Sequence, residues 1–266
     1  MAIDTQAQDP TAARELSDLV IIVTGASRGI GKGLALGLAA QGAAVVCAAR
    51  TETDQPDGLP GSVQTTAREI TAAGGRALPV RCDIGREEDL VALVDRTIEV
   101  FGRLDVLVNN AMAPTRGGVI DATTAMWDES MTTNVRSLFV LTQLVLPHMR
   151  ERGGSIINMS SGAAEHGSNP FLPPGYAIYA TAKAALERFS TVVAFEVAEL
   201  GIAVNALRPG AVKTEHATLE LGEDHDWSGW TTPDAVVPAV VYLARQRGDG
   251  LTGQILESTQ FGRRWP

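Results

Sequence analysis

The sequence predicts an α/β fold in which a single domain holds a doubly wound parallel sheet with helices on both faces. Short apolar segments alternate along the chain with longer segments in which apolar residues recur at helical spacing. Of the 266 residues, 45% are hydrophobic but only 5% are aromatic, a balance that suits helices packed closely on a sheet better than a β-sandwich. Such folds bind ligands at the carboxyl ends of the strands, so we expect the chemistry in the loops that follow them.

Each element is predicted from its local pattern. Glu87–Phe101 is the clearest helix, because its leucine, valine and isoleucine residues repeat at helical spacing. Arg50–Ser62 is rich in proline and glycine and is predicted to be a loop. The predicted strands are Leu19–Thr24, Ala44–Ala49, Leu78–Cys82, Val106–Val108, Ser155–Met159, Ala203–Leu207 and Gln254–Glu257. The other predicted helices are Gly31–Gln41, Gln64–Ala73, Asn134–Arg150 and Tyr176–Leu200.

Residues 1–17 are predicted to be a flexible tail and residues 18–266 one domain, because Met1–Arg14 is polar and no linker interrupts the rest. No signal-peptide pattern opens the chain, and the longest apolar runs are too short to span a bilayer. Cys47 and Cys82 lie in predicted strands without CxxC spacing, which argues against a disulfide framework or a metal site. We therefore expect reduced thiols and a cytoplasmic location.

The net charge of the chain is −9. Nucleic acids and anionic membranes are bound by clustered positive charge, so neither is expected to be the main partner. A small anionic ligand responds to local charge only and is compatible with this value.

A glycine-rich segment, Thr24–Gly31, follows the first predicted strand and opens the first helix. Gly25 permits a tight turn, while Gly29 and Gly31 let the backbone and the helix approach a pyrophosphate. The N-terminus of the helix supplies unpaired N–H groups and partial positive charge. This context predicts a dinucleotide-binding domain of the Rossmann type.

The same segment also matches the G-x-S-x-G pattern of a hydrolase nucleophile elbow, with Ser27 as the nucleophile. Asp224 would then supply the acid, and His216 or His225 the base. An elbow normally follows several earlier strands, whereas this one follows the first, so the topology disfavours a hydrolase.

Tyr179 and Lys183 lie four residues apart on a predicted helix, a spacing that places them on one face. Taken alone, the pair is typical of a helix surface. Two neighbouring segments favour a functional interpretation instead. The two preceding predicted strands end in Asn109–Ala111 and Asn158–Ser161, which carry polar side chains.

At these residues the chain resembles the short-chain dehydrogenase/reductase family, from about Leu19 to Gly253. The Asn-Asn-Ala-Met variant and the loop after the second strand make it similar to a subgroup that includes hydroxysteroid-dehydrogenase-like proteins. The ordered motifs are Thr24–Gly31, Asp83, Asn109–Ala111, Ser161 with Tyr179 and Lys183, and Pro209-Gly210 followed by Thr214.

The resemblance implies a catalytic set. Tyr179 would exchange a proton with the substrate hydroxyl, and the charges of Lys183 and of the oxidised nicotinamide would lower its pKa. Lys183 would also hold the nicotinamide ribose, and Ser161 would bind the substrate oxygen. Asn134 would lie at a helix kink that holds a water for proton relay, although an asparagine is also a favoured helix cap. Ser160 competes with Ser161 for its role, and family alignment favours the second serine.

The resemblance also implies a cofactor site. Asp83 would hold the adenine amino group, or cap the following helix, or do both. The loop at Asn110 and Ala111 would line the adenosine and ribose. The complete set expected to bind the cofactor is Gly25, Ser27, Arg28, Gly29, Ile30, Gly31, Arg50, Asp83, Ile84, Asn110, Ala111, Tyr179, Lys183, Pro209, Gly210, Val212 and Thr214.

NADP(H) is expected to be preferred over NAD(H), which stays possible. The acid that binds the ribose 2′-hydroxyl in NAD sites is replaced by Ala49, and Arg50 follows it. Arg28 approaches from the glycine loop, so two guanidinium groups could bind a 2′-phosphate. The negative charge of Glu52, two residues after Arg50, weakens the positive field of the two arginines. The alternative is that Arg50 points to solvent and Arg28 packs on the adenine.

The chain departs from the family pattern in several places. Met112 replaces a glycine and adds a side chain near the cleft or turns into the core. The long span between Ser161 and Tyr179, with Pro170, Pro173 and Pro174, is predicted to form a semi-rigid wall over the substrate. The familiar C-terminal glycine pair is absent, which puts the usual tetramer contacts in doubt, and we expect a homodimer or homotetramer.

The segment Lys213–Thr232, which we call the lid, is predicted to be mobile without ligand and to order over the substrate. Its Trp227 and Trp230 either face an apolar substrate or anchor the lid.

Together these features predict an NAD(P)(H)-dependent oxidoreductase that transfers hydride between nicotinamide and a small alcohol, ketone or aldehyde of apolar character. One alternative is a 3-oxoacyl thioester reductase of the same family. Another is a non-catalytic, cofactor-sensing protein on the same fold, which the intact catalytic set disfavours.

Overall fold

The structure is a computed structural model that describes residues 14–55, 58–167, 172 and 174–266. Most of the predicted tail, and two of the three prolines in the predicted substrate wall, Pro170 and Pro173, lie outside these residues. Residues 14–17 form a turn, in which Leu16 is fully buried and its amide donates a hydrogen bond to the carbonyl of Gln41 (3.0 Å).

All strands of the sheet run parallel, which confirms the predicted α/β class. They are β1 (Val20–Thr24), β2 (Ala44–Ala49), β3 (Arg76–Arg81), β4 (Val106–Asn109), β5 (Gly154–Met159), β6 (Ile202–Arg208) and β7 (Ile255–Glu257). Their spatial order is β3-β2-β1-β4-β5-β6-β7. β3 lies at the sheet edge, where Pro79 is tolerated because an edge strand has one side without ladder bonds.

The helices are α1 (Gly29–Ala40), α2 (Val63–Ala72), α3 (Glu87–Phe101), α4 (Thr124–Met131), α5 (Ser137–Met149), α6 (Ala177–Val197), α7 (Glu215–Leu221) and α8 (Val237–Ala244). They cover the sheet on both faces. One apolar core lies between the sheet and α1, α2 and α8, and a second lies between the sheet and α3, α5 and α6. The predicted doubly wound Rossmann-type fold is therefore confirmed.

Four helices, α4, α5, α7 and α8, differ from the sequence-based expectation. The prediction that a helix begins at Asn134 is wrong, because α4 precedes it and joins α5 through a π-helical turn, Thr132–Arg136. α4 has only 8 residues, and its sequence is too polar to show an apolar helical repeat. Its start is marked by Thr123, whose side chain caps the helix by accepting a hydrogen bond from the amide of Met126. α7 and α8 were not predicted, since α7 has only 7 residues and α8 is apolar on all sides.

The C-terminal segment packs on its own chain. Trp265 is 9% exposed, and its Nε1 donates a hydrogen bond to the carbonyl of Glu257 (3.0 Å). Its ring lies against those of Tyr242 and Phe261, with centroid distances of 6.1 and 4.9 Å. Two of these contacting residues, Glu257 and Phe261, lie in or next to Ser258–Gly262, the segment that lacks the family's glycine pair.

The strand order changes direction between β1 and β4, and this switch point brings the loops after both strands together. The turn after β1 is so close that a side chain on Gly31 has no room. A Cβ atom there would lie 2.2 Å from the carbonyl oxygen of Gly25 and 2.4 Å from Nδ2 of Asn110. Position 31 therefore requires a glycine, because any Cβ atom there would clash with the backbone of Gly25 and the side chain of Asn110.

We expect Gly31→Ala to lower the free energy of unfolding by about 1–3 kcal/mol, the usual cost of overpacking. Chemical denaturation followed by circular dichroism measures the effect. Gly229→Ala is the matched control, because a Cβ atom there meets nothing within 4 Å. Equal stability of the two variants would contradict the close approach at Gly31.

Candidate active site

Tyr179 and Lys183 lie on the first turns of α6 and face the carboxyl end of β5. Lys183 is 4% exposed, and its Nζ donates a hydrogen bond to the carbonyl of Met159 (2.7 Å). The same Nζ lies 5.8 Å from the centroid of the Tyr179 ring. This burial excludes the alternative of a surface tyrosine–lysine pair.

The two serines after β5 point to different partners. Ser160 is buried, and its hydroxyl donates a hydrogen bond to Oε1 of Glu187 (2.7 Å). Ser161 lies beside Tyr179, where its hydrogen bond favours the ionised phenol. Successive residues of an extended segment point to opposite sides, which explains this division. Of the two, Ser161 is the one beside the phenol.

Burial shifts both titrating groups away from their charged forms. It raises the pKa of Tyr179, while the hydrogen bond of Ser161 and the charge of Arg116 act in the opposite direction. Burial also lowers the pKa of Lys183 to about 8, opposed by the nearby carboxylate of Glu187. The sequence led us to expect a lowered phenol pKa. In the structure, desolvation dominates and the pKa is raised instead.

Met112 points into the cleft. The hydroxyl of Tyr179 donates a hydrogen bond to its Sδ at 3.6 Å, and Met112 is 38% exposed. Where the family has glycine, this chain thus places a thioether on the phenol hydroxyl.

Asn134 lies inside the π-helical turn and is 1% exposed. Its Oδ1 accepts a hydrogen bond from the amide of Ala113, and its Nδ2 donates to the carbonyl of Ala113 and to Ser130 Oγ, each at 3.0 Å. The alternative role as a helix cap is excluded, because helical backbone precedes and follows it. Asn134 ties the loop after β4 to the helix.

The glycine loop has the backbone that the motif requires. Gly25 and Gly29 have φ values of 71° and 56°, in the region that favours glycine. Ser27 is 6% exposed, unlike a nucleophile at the tip of an elbow. Ile30 packs against the apolar core.

Thr24 joins this loop to the one after β4. Its Oγ1 accepts hydrogen bonds from the amides of Asn110 and Ala111, both at 3.0 Å. Nδ2 of Asn110 in turn donates to the carbonyl of Thr24 (2.9 Å). Asn110 and Ala111 thereby shape the floor of the cleft at the switch point.

The two arginines expected at the 2′-phosphate differ in their surroundings. The guanidinium of Arg28 donates hydrogen bonds to the carbonyls of Leu59 (2.9 Å), Pro60 (3.0 Å) and Gly61 (2.9 Å). Arg28 therefore fastens the loop after β2 onto the glycine loop. Arg50 is exposed at the end of β2.

Asp83 and Ile84 follow β3. Oδ1 of Asp83 accepts a hydrogen bond from the amide of Gly85 (3.0 Å), and the amide of Asp83 donates to Oδ2 of Asp89 (2.9 Å). α3 begins after Arg86 without a side-chain cap, so Asp83 does not serve as its cap. Ile84 packs against the apolar core.

The segment after β6 leads into the lid. The carbonyl of Pro209 accepts a hydrogen bond from Ser258 Oγ (2.8 Å), and Gly210 has a φ of 80°. Val212 is buried and forms a parallel bridge to Thr231 in the lid. Thr214 caps α7 through a hydrogen bond from a helix amide (3.1 Å).

The lid packs on itself and on the site. The rings of Trp227 and Trp230 lie 5.0 Å apart, and His225 lies 4.8 Å from the first of them. These contacts support the anchoring role of the tryptophans. At the two ends of α7, Oε2 of Glu215 accepts a hydrogen bond from the amide of Gly29 (2.9 Å), and Glu220 pairs with Arg116 (2.6 Å).

The structure contains a buried ion pair, Glu187–Arg208, that the sequence patterns did not predict. Arg208 donates to Glu187 through Nε (2.7 Å) and Nη2 (3.0 Å). Glu187 follows Lys183 by one helical turn, and Arg208 directly precedes Pro209. Helical spacing would have identified the first residue as a neighbour of the site, but no local pattern identifies its partner.

Within the described part of the chain, no cluster of three or more potential metal ligands is present. Nor does that part hold a helix long and apolar enough to cross a membrane.

Comparison with known proteins identifies the family. The sequence pattern of short chain dehydrogenases matches residues 19–224. The chain is 35% identical to the short-chain reductase protein NovJ of Streptomyces niveus over 250 residues, which cover 88% of this chain and 90% of that protein. It is 36% identical to hydroxysteroid dehydrogenase-like protein 2 of Bos taurus over 196 residues, 73% of this chain and 46% of that protein.

Solved structures give the same result. A short chain dehydrogenase from Burkholderia cenocepacia in complex with NADP has a TM-score of 0.78 and 29% identity, covering 91% of this chain and 97% of that chain. A 7α-hydroxysteroid dehydrogenase complexed with NADH and 7-oxo glycochenodeoxycholic acid has a TM-score of 0.78 and 30% identity, covering 92% and 94%.

These matches span nearly the whole chain and decide against the hydrolase alternative at Ser27. The predicted resemblance, including that to hydroxysteroid-dehydrogenase-like proteins, is confirmed. The chain belongs to the short-chain dehydrogenase/reductase family and is an NAD(P)-dependent oxidoreductase.

Proposed function

We propose that this enzyme transfers hydride between a nicotinamide cofactor and the alcohol or carbonyl carbon of a small substrate, with Tyr179 as acid and base. The observation that carries the proposal is the position of the phenol. Its hydroxyl lies at the cleft beside Ser161 and Met112, and the Lys183 ammonium lies behind the ring. Tyr179 thus has both a partner for orientation and a neighbouring positive charge.

The residues present fit a dinucleotide. The cradle at Gly25 and Gly31 leaves no room for a Cβ atom, and the Gly29 amide already holds a carboxylate, the kind of anion a helix N-terminus binds. The glycine loop would hold the pyrophosphate, Asp83 the adenine, and Lys183 the nicotinamide ribose. When bound, the cofactor supplies or accepts the hydride.

The side chains of the site orient the substrate and transfer the proton. Ser161 orients the substrate oxygen by a hydrogen bond, so that Tyr179 gives the carbonyl oxygen a proton or takes one from the hydroxyl. A charged Lys183 favours the phenolate form of Tyr179. With a pKa of about 8, Lys183 is mostly charged at neutral pH and loses its proton in the mildly alkaline range. Asn134 positions the π-helical turn behind this pair for proton exchange with water.

NADP(H) is the proposed preferred cofactor. Ala49 ends β2, so no carboxylate stands there to repel a 2′-phosphate, and Arg50 next to it is exposed. Arg28 supports the phosphate site indirectly, by fixing the loop at Leu59–Gly61, instead of by the direct contact expected from the sequence. Known neighbours include complexes with NADP and with NADH, so the family itself accommodates both.

A catalytic function is favoured over cofactor sensing, because the phenol, serine and buried lysine converge on one cleft. The substrate is proposed to be a small, apolar alcohol, ketone or aldehyde. The Met112 thioether over the phenol presents an apolar surface to it.

Tyr179→Phe is expected to lower turnover by about a hundred- to ten-thousand-fold while leaving cofactor binding largely intact. The hydroxyl acts only on the substrate oxygen, so its loss removes proton transfer. A panel of ketones and alcohols, followed by absorbance of the reduced cofactor, supplies the assay. Tyr176→Phe is the matched control, since its ring lies 6.1 Å from that of Tyr179. A Tyr179→Phe enzyme with more than half the wild-type rate would contradict this role.

Lys183→Met should change the pH dependence of stability. The pKa of Lys183 is about 8 when folded against 10.5 for a free side chain, so between these values the unfolded chain binds more protons. Wild-type stability therefore rises through this window, and below it the buried charge destabilises the fold. Relative to Lys183→Met, the wild type should gain roughly 3 kcal/mol between pH 7 and 10.5.

Urea unfolding at several pH values measures this gain. Lys213→Met is the control, because it removes an ammonium from a side chain that is 41% exposed. Parallel pH profiles of wild type and Lys183→Met would refute the buried charge.

Arg50→Ala is expected to weaken NADP(H) binding about ten- to a hundred-fold and to affect NAD(H) little, since one charge-assisted hydrogen bond to phosphate is lost. Arg76→Ala is the matched control. It removes the same charge at the amino end of β3, away from the carboxyl ends of the strands, and should change neither the NADP(H) nor the NAD(H) dissociation constant. Isothermal titration gives all the dissociation constants. A wild type that binds NAD(H) more tightly than NADP(H) would overturn the proposed preference.

A further inference from the structure

We propose that Glu215 is a built-in competitor for the cofactor: its carboxylate occupies the anion site of the glycine loop and must leave before the pyrophosphate binds. The inference rests on the proposed function and adds a residue that sets cofactor affinity. It starts from one contact, in which Oε2 of Glu215 accepts a hydrogen bond from the amide of Gly29 at 2.9 Å.

The contact uses the donor that a cofactor phosphate would need. Gly29 begins α1, and the residue before it, Arg28, provides no side-chain cap. The first N–H groups of a helix have no partner within the helix and attract anions. In this chain a carboxylate from the lid supplies the anion. One N–H cannot serve both the carboxylate and a phosphate oxygen, and two anions so close repel each other.

The lid also occupies space above the loop. A Cβ atom built on Gly29 would lie 3.3 Å from Cγ2 of Thr214 and 3.6 Å from Oε2 of Glu215. The start of α7 therefore rests directly on the glycine loop. A pyrophosphate bound to the Gly29 amide has to enter this layer, so the lid must shift as well as release its hydrogen bond.

The fold permits such a shift at low cost. None of the residues of α7 is buried, so its movement uncovers little apolar surface. A cavity of about 700 Å³ adjoins the contact, lined by Leu59, Pro60, Lys213, Thr214, Glu215 and Pro233 among others. The carboxylate can swing toward this space without unpacking the core. The contact is thus replaceable, as a competitor requires.

Cofactor affinity should consequently rise when the competing carboxylate is removed. Glu215→Gln is expected to tighten NADPH binding about five- to tenfold, because a charge-assisted hydrogen bond no longer has to be broken. ADP, which carries a diphosphate, should gain by a similar factor. Adenosine, which has none, should bind equally to both proteins. Isothermal titration measures these constants, and the fluorescence of Trp227 and Trp230 reports lid movement.

Two further variants separate the contact from a general charge effect. Glu223→Gln removes the same charge from a lid side chain that is 81% exposed, and should leave NADPH binding within about twofold. Glu215→Asp keeps the charge but draws the carboxylate back by one methylene, and should tighten binding in the same direction as Glu215→Gln. It also keeps the proposal testable if the glutamine variant does not fold.

The outcomes are distinguishable. Equal NADPH constants for wild type and both Glu215 variants overturn the competitor while leaving the proposed function intact. Equal gains in Glu215→Gln and Glu223→Gln overturn it as well, because they indicate a field effect without a contact. Failure of the wild type to bind NADPH or NADH at all overturns the proposed function and this inference together.

Discussion

The buried carboxylate of Glu187 is the interaction on which the geometry of the site depends. It accepts hydrogen bonds from Ser160 at the end of β5 and from Arg208 at the end of β6, while its own backbone belongs to α6. One side chain thereby joins the three elements that carry Ser161, Lys183 and Pro209. Ser161 lies beside the phenol of Tyr179 because these elements are held in register.

Charge explains why this position needs a glutamate. Arg208 and Lys183 both bring positive charge into a region with little water, and burial of an uncompensated charge destabilises a fold by several kcal/mol. Glu187 compensates the guanidinium directly, and its field opposes the loss of the Lys183 proton. The same carboxylate draws the Ser160 hydroxyl away from the cleft. Of the two adjacent serines, only Ser161 is then left beside the phenol.

The sequence predicted those parts of the fold and site that follow from local pattern. The strand–helix alternation specified the parallel sheet, and the turn chemistry of Gly25, Gly29 and Gly31 specified the loop at its switch point. Tyr179 and Lys183 were found because one helix carries both. The resemblance placed Asn134 at a helix kink, but the π-helical form of that turn was not predicted, since its hydrogen bonds to Ala113 depend on a loop distant in sequence.

Contacts between distant segments were beyond the reach of sequence patterns. Arg28 was expected to face a phosphate, yet its guanidinium binds three carbonyls of the loop after β2, and nothing in its local sequence indicates them. Glu215 likewise follows a conventional helix cap and contacts the glycine loop only through tertiary folding. The direction of the Tyr179 pKa shift also depended on burial that the packed cleft creates.

Several groups at the candidate site have partners that belong to the chain itself. The Gly29 amide has a carboxylate from the chain itself, and the Tyr179 hydroxyl has the sulfur of Met112 as a weak acceptor. The Lys183 ammonium is buried and donates a hydrogen bond to the carbonyl of Met159. In the proposed function, phosphate, substrate oxygen and ribose would replace these partners. Because these partners are supplied by the chain, its own side chains and backbone organise the cleft, and the proposed ligands would have to displace them.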